Sequence, residues 1–128
     1  MSRPLVLMYN IGNPKATKIR VLCMKLHIGF KDVLPPAWLQ PIGALAGVLP
    51  ESETPSESPA TFADEMLVMC NMNGVMLNAF LHGFRADRIP PVSLKAILTP
   101  TNVEWNALQL HDELVKEREA IRRGAAQK

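Results

Sequence analysis

Two runs of consecutive apolar residues, Leu5–Tyr9 and Met66–Cys70, stand out along the chain, and each ends in a polar turn. The first stops at Asn10 and Gly12-Asn13-Pro14, the second at Asn71-Met72-Asn73-Gly74. A five-residue apolar run bounded by breakers predicts a strand buried on both faces. After each run the period changes. Ile19, Leu22, Cys23 and Leu26 share one helical face, as do Met76, Leu77, Phe80, Leu81 and Phe84. Pro14 suits the opening turn of the first helix and Gly29 its end. Residues 30–34 and 94–98 then predict two further strands, each following a helix, so the second half of the chain repeats the first.

Between the halves, Pro41 opens a short helical stretch within 37–48 that carries Ile42, Leu45 and Ala46. Gly43 and Gly47 weaken it as a helix, and their spacing suits close packing. After the last strand, Thr99-Pro100-Thr101-Asn102 turns the chain into a final helix running to about Arg123. Thr101 and Glu104 have the spacing of a capping box at its start. Its last two turns, 116–123, alternate acid and base and predict an exposed face.

The order β-α-β-(α)-loop-β-α-β-α predicts an α/β fold: a four-stranded, mostly parallel sheet in the order 2-1-3-4 with helices on both faces. A ferredoxin-like α+β fold, a split βαβ repeat with an extra C-terminal helix, is the alternative. Residues 1–128 form one domain by size. Residues 50–61 hold three prolines, three glutamates, no base and no large apolar side chain. They predict a mobile acidic linker or long loop, because nothing there offsets the entropy of ordering.

Composition narrows the function more than it suggests one. A net charge of +2 gives no reason to expect nucleic acid or an anionic membrane. Lys15, Lys18, Arg20 and Lys25 gather on the first helix, a pattern that predicts a solvated face. The start Met1-Ser2-Arg3-Pro4 leads into an apolar run too short for a secretory core, and no stretch approaches a membrane span. Cys23 and Cys70 therefore read as reduced core residues of a cytoplasmic protein.

The segments Glu65-Met66-Leu67-Val68-Met69-Cys70 and Leu94-Lys95-Ala96-Ile97-Leu98-Thr99-Pro100-Thr101-Asn102, then Trp105 and the charged helix after it, carry a resemblance. From Phe62 onward the chain resembles a small bacterial family known only as a domain of unknown function. Gln40-Pro41-Ile42-Gly43-Ala44-Leu45-Ala46-Gly47 is similar to a segment of its full-length members. The resemblance implies a bacterial origin but brings no activity, cofactor or catalytic residue.

Recognised catalytic and metal patterns are missing. His27, His82 and His111 form no HxxxH or HExxH pair, so no metal site and no cofactor are expected. His27 and His82 fall late in helices, where positive charge suits the dipole. No glycine-rich phosphate loop or nucleophile elbow occurs. Phosphoacceptor chemistry needs a carboxylate at a strand end, and Asn10, Asn71 and Thr99 stand there instead.

One polar constellation follows from the parallel reading. With the first, third and fourth strands parallel, their carboxyl ends gather three turns on one edge, where open sheets bind ligands. Asn10, Asn13, Asn71, Asn73, Thr99, Thr101 and Asn102 are the candidate binding residues for a neutral or anionic small molecule. The same residue types also serve turns and helix caps. With no acid–base or nucleophile pair in view, no catalytic residue is assigned. The sequence therefore predicts a non-catalytic binding or regulatory domain acting through contacts with a protein partner, with the small-molecule site as the alternative.

Overall fold

The computed structural model describes residues 3–50 and 61–126. The predicted acidic linker lies, but for its two end residues, outside the described residues. The chain runs β1 (Leu5–Tyr9), α1 (Lys15–Lys25), β2 (Gly29–Asp32), a 3-10 turn (Pro35–Ala37), α2 (Ile42–Leu45), β3 (Met66–Cys70), α3 (Gly74–Ala86), β4 (Leu94–Ile97) and α4 (Ala107–Ala126).

The sheet has the order β2-β1-β3-β4, as the sequence predicts. β1 pairs in parallel with β2, and β3 with β4. The central pair β1–β3 is antiparallel, with Leu5 opposite Cys70 and Tyr9 opposite Met66. The sheet is thus mixed: two βαβ units joined back to back. A split βαβ repeat needs another strand between the parallel pair of each unit. Here β1 and β2 are direct neighbours, which removes the ferredoxin-like alternative.

Both faces of the central strands are covered, which is why their sequence does not alternate. Val6, Met8, Leu67 and Met69 pack under α1 and α3 with Ile19, Leu22, Phe80 and Phe84. Leu7, Tyr9, Val68 and Cys70 pack on the opposite face with Trp38, Ile42, Ala107 and Leu110. The two cysteines are free and buried, one in each layer. Burial pushes both thiols up to about 12.

The two units repeat each other in detail at a constant spacing of 61 residues. Asn10 and Asn71 both end their strands at φ 60, and His27 and Arg88 follow their helices at φ 58 and 54. Ile28 N–H donates to Cys23 O, and Ile89 N–H to Phe84 O, each at 2.8 Å. Past those residues the second unit holds four more, Pro90 to Ser93, before its strand. An antiparallel central pair with both helices on one face places a pseudo-two-fold axis perpendicular to the sheet. It passes between Leu7 and Val68, which are counterparts and also face one another.

Several local expectations change. His27 in the left-handed region, not Gly29, terminates α1, and Gly29 opens β2. The helix around Pro41 shrinks to the single turn of α2. α4 begins only at Ala107: Asn106 N–H donates to Gln109 Oε1 and Gln109 N–H to Asn106 Oδ1, each at 2.9 Å. That reciprocal pair is the capping box, in place of Thr101 and Glu104. The basic residues of α1 are also engaged. Lys15 binds Glu65 and Pro91 O, Lys25 binds Asp87, and Arg20 pairs with Asp32.

Candidate functional site

The antiparallel centre divides the predicted ligand edge in two. Asn10 and Asn13 lie at the carboxyl end of β1, at one edge of the sheet. Asn71, Asn73, Thr99, Thr101 and Asn102 lie at the other, beyond β3 and β4. The single polar crevice expected between Asn10 and Asn71 is thereby corrected, because parallel β1 and β3 were its premise.

Most of these side chains are also spent locally. Asn10 Nδ2 donates to Phe62 O (2.7 Å) and Asp64 O (3.1 Å), tying β1 to the lead-in of β3. Asn71 Nδ2 makes the matching bond to Arg3 O (3.1 Å) and another to Ala46 O (3.2 Å). Asn73 Oδ1 caps α3 by accepting Met76 N–H, and Asn13 Oδ1 accepts the Thr17 hydroxyl. Asn102 is buried, accepts Thr99 N–H and donates to Ile97 O. Asn102 thus has both ends of its amide engaged, while Asn10 and Asn71 commit their Nδ2 groups and Asn13 and Asn73 their Oδ1 atoms, which reduces what each can offer a ligand.

Thr99, Thr101 and Asn102 do line a cavity, but it opens sideways, along the edge strand β4. It has a volume of about 480 Å3 and is walled by β4, the turn after it and α4. Met69, Leu81, Ile97, Trp105 and Leu114 give it an apolar lining; Glu113 and Glu117 lie on its α4 side. A second depression of about 350 Å3 shares Leu81 and Lys95 and continues it over Phe84, Arg85 and Ile89. Together they form one groove that wraps the edge of the sheet.

The edge itself is partly open. Leu94 N–H and Leu98 N–H point inward, donating to Glu65 O and Met69 O. By the alternation of a strand, Lys95 and Ile97 turn their N–H and C=O groups outward. The Asn102 amide occupies Ile97 O at 3.0 Å, leaving Lys95 as the free rung of the ladder. Lys95 and Arg85 have no anionic partner among the described residues.

The pseudo-two-fold supplies an internal control for this groove. The counterpart position in the first unit is a cleft of about 340 Å3 beside Asn10, Gly12 and Val33. Arg20 stands there where Leu81 stands in the second unit, and Asp32 where Ile97 stands. Arg20 and Asp32 close on each other as an ion pair. Leu81 and Ile97 remain 37% and 45% exposed. At these two positions one edge carries an ion pair and the other two exposed apolar side chains; elsewhere Phe30 and Leu34 are exposed at the first edge, and Lys95 stands on β4.

Sequence reasoning did not single out Leu81, Lys95, Ile97 or Trp105 as site residues. The signal lay in aligning the two halves, which sets Arg20 against Leu81 and Asp32 against Ile97. His111 likewise acquires a role only in three dimensions. It stacks on Phe62 at 4.0 Å and binds Asp64 Oδ2 at 2.8 Å; Phe62 in turn stacks on Trp38 at 4.3 Å. This pins residues 62–64 onto α4. His27 and His82 are exposed. Among the described residues no three His, Cys, Asp or Glu side chains converge as metal ligands do, and no helix is long and apolar enough to cross a membrane.

Fold and groove together define a mixed α/β domain of two βαβ units with an apolar groove along one sheet edge. Residues 65–121 match the model of a family described as a domain of unknown function (DUF3783). The match bears out the resemblance seen in the sequence and spans β3, α3, β4 and α4 as far as Ile121. No curated protein and no solved structure matches the chain.

Proposed function

We propose that this chain is a non-catalytic protein-binding domain whose contact surface is the groove around β4. Its occupant is a partner segment that combines apolar side chains with carboxylates. The observation that carries the reading is the contrast between the two edges, with Arg20 and Asp32 paired at one and Leu81 and Ile97 bare at the other. Singly exposed apolar residues are ordinary, but these two share a groove with Trp105 and Leu114 on an edge strand. The partner's charge follows from Lys95 and Arg85, two cations beside apolar Phe84 and Ile89 on the α3 side. Carboxylates seat on the Arg85 side of Lys95, because Glu113 and Glu117 line the other part of the groove that Lys95 borders. The backbone of Lys95 offers an extended segment one further pair of hydrogen bonds.

Selection from a random peptide display library tests this. Retained peptides should be rich in Asp or Glu together with Leu, Ile, Phe or Trp, and should lose binding to Ile97→Asp and to Lys95→Glu while both variants keep the wild-type thermal unfolding profile. Peptides rich in Lys and Arg, or peptides that bind the two variants as well as the wild type, would refute the assignment. A small anionic metabolite that stabilises the wild type but not the Ile97→Asp protein would move the groove to the small-molecule reading.

A further inference from the structure

The groove distinguishes the outer edges of the two units; a different contact distinguishes their shared inner seam. Leu22 on α1 and Gly83 on α3 are counterparts under the pseudo-two-fold, and they meet each other across it. A Cβ placed on Gly83 would lie 2.9 Å from Leu22 Cδ2, 3.2 Å from Leu22 Cγ and closer still to Cδ1. One branched side chain therefore fills the space that an exactly symmetric pair would have to share. Two leucines would collide there, and two glycines would leave the volume of a leucine side chain empty.

The strand register of the seam is two-fold. Val6 faces Met69 and Met8 faces Leu67 in one layer; Leu7 faces Val68 in the other. Asn10 binds Asp64 O and its counterpart Asn71 binds Arg3 O, the same tie made in both directions. The register and the asparagine clips would suit either unit as a partner for itself, whereas the ion pairs Lys15–Glu65 and Lys25–Asp87 run one way only, from α1 to the second unit. At the crossing of α1 and α3, Leu22 and Gly83 break that equivalence.

We infer that the chain is an intramolecular pair of like βαβ units, and that Leu22 and Gly83 are a knob and hole which, together with the one-way ion pairs of α1, make each unit take the other as partner and reject its own kind. The surface of β3 and α3 is an interface for a second unit, filled in cis by β1 and α1. The inference is independent of the groove.

A protease site placed within residues 51–60 of the full chain allows the test. After cleavage, unfolding in urea and refolding by dilution, native mass spectrometry reads which halves pair. The nicked wild type should return as one first half with one second half, whereas nicked Leu22→Gly, with glycine on both sides, should give heterotypic and homotypic pairs together. Homotypic pairs from the nicked wild type in the same proportion as from the variant, or halves that never reassociate, would overturn the inference. In the intact chain, Leu22→Gly and Gly83→Leu should each lower the urea midpoint, and the double swap should recover most of the loss. A double variant no better than the sum of the singles would also overturn it, whether or not nicked Leu22→Gly refolds.

Discussion

Gly43→Ala is expected to destabilise the protein out of proportion to one methyl group, and to disturb the groove from behind. Gly43 lies in the single turn of α2, pressed against the segment between β4 and α4. A Cβ there would stand 2.7 Å from Val103 O and 2.9 Å from Leu49 Cδ1. A side-chain methyl can turn aside, but the Val103 carbonyl is backbone, and it accepts the Gly43 N–H at 2.8 Å. The neighbouring Ile42 N–H donates to Trp105 O, also at 2.8 Å. Relief of the clash must push α2 away and lengthen both bonds. Overpacking costs about 1–3 kcal/mol and two weakened hydrogen bonds about 1 kcal/mol each. The better helix propensity of alanine returns at most about 1 kcal/mol, so the net loss is about 2–4 kcal/mol. In urea, with a slope of about 2 kcal/mol per molar, the midpoint should fall by about 1–2 M. Trp105 lies in the displaced segment and also lines the groove, so its fluorescence should change in the folded baseline. Gly74→Ala is the control, because nothing lies within 4 Å of a Cβ there. Equal midpoints for Gly43→Ala and Gly74→Ala would refute the packing argument.

Three further outcomes follow from the same structure. Asn71→Ala should cost about 2–3 kcal/mol, from a left-handed backbone that alanine resists and two lost hydrogen bonds; Asn71→Gly should cost less, and chemical denaturation of the pair checks the order. Thr101→Ala should change stability by less than about 0.5 kcal/mol, whereas Asn106→Ala should cost about 1 kcal/mol through the lost cap; equal effects would return the capping role to Thr101. Burial holds Cys23 and Cys70 as neutral thiols up to about 12. An unfolded thiol ionises near its ordinary value, so their contribution is intact below pH ~9 and is lost as pH rises towards 12, by about 1.4 kcal/mol per pH unit per thiol. Urea unfolding at pH 8 and pH 10.5 should show the fall, and Cys70→Ala should make it shallower.

Much of the architecture was already legible in the sequence. β3 falls on the five residues its apolar run predicts, and the strand order 2-1-3-4 and helices on both faces follow from the β-α-β rhythm. Hydrophobic periodicity carries that information because it reports which faces must be buried. It carries nothing about direction where a strand is buried on both faces: Leu5–Tyr9 presents apolar side chains to both layers whichever way the neighbouring strand runs. Only the tertiary structure shows β1 and β3 antiparallel, the arrangement that sets α1 and α3 side by side on one face. That one choice sent Asn10 and Asn71 to opposite edges and turned them from ligand candidates into structural ties. Helix ends escaped for a related reason. Thr101 and Asn106 each begin a plausible cap, and only the turn held by buried Asn102 decides which one is used. The groove belongs wholly to the tertiary structure, since Leu81, Ile97 and Trp105 come from separate elements, and exposure of an apolar side chain is a property of what fails to cover it.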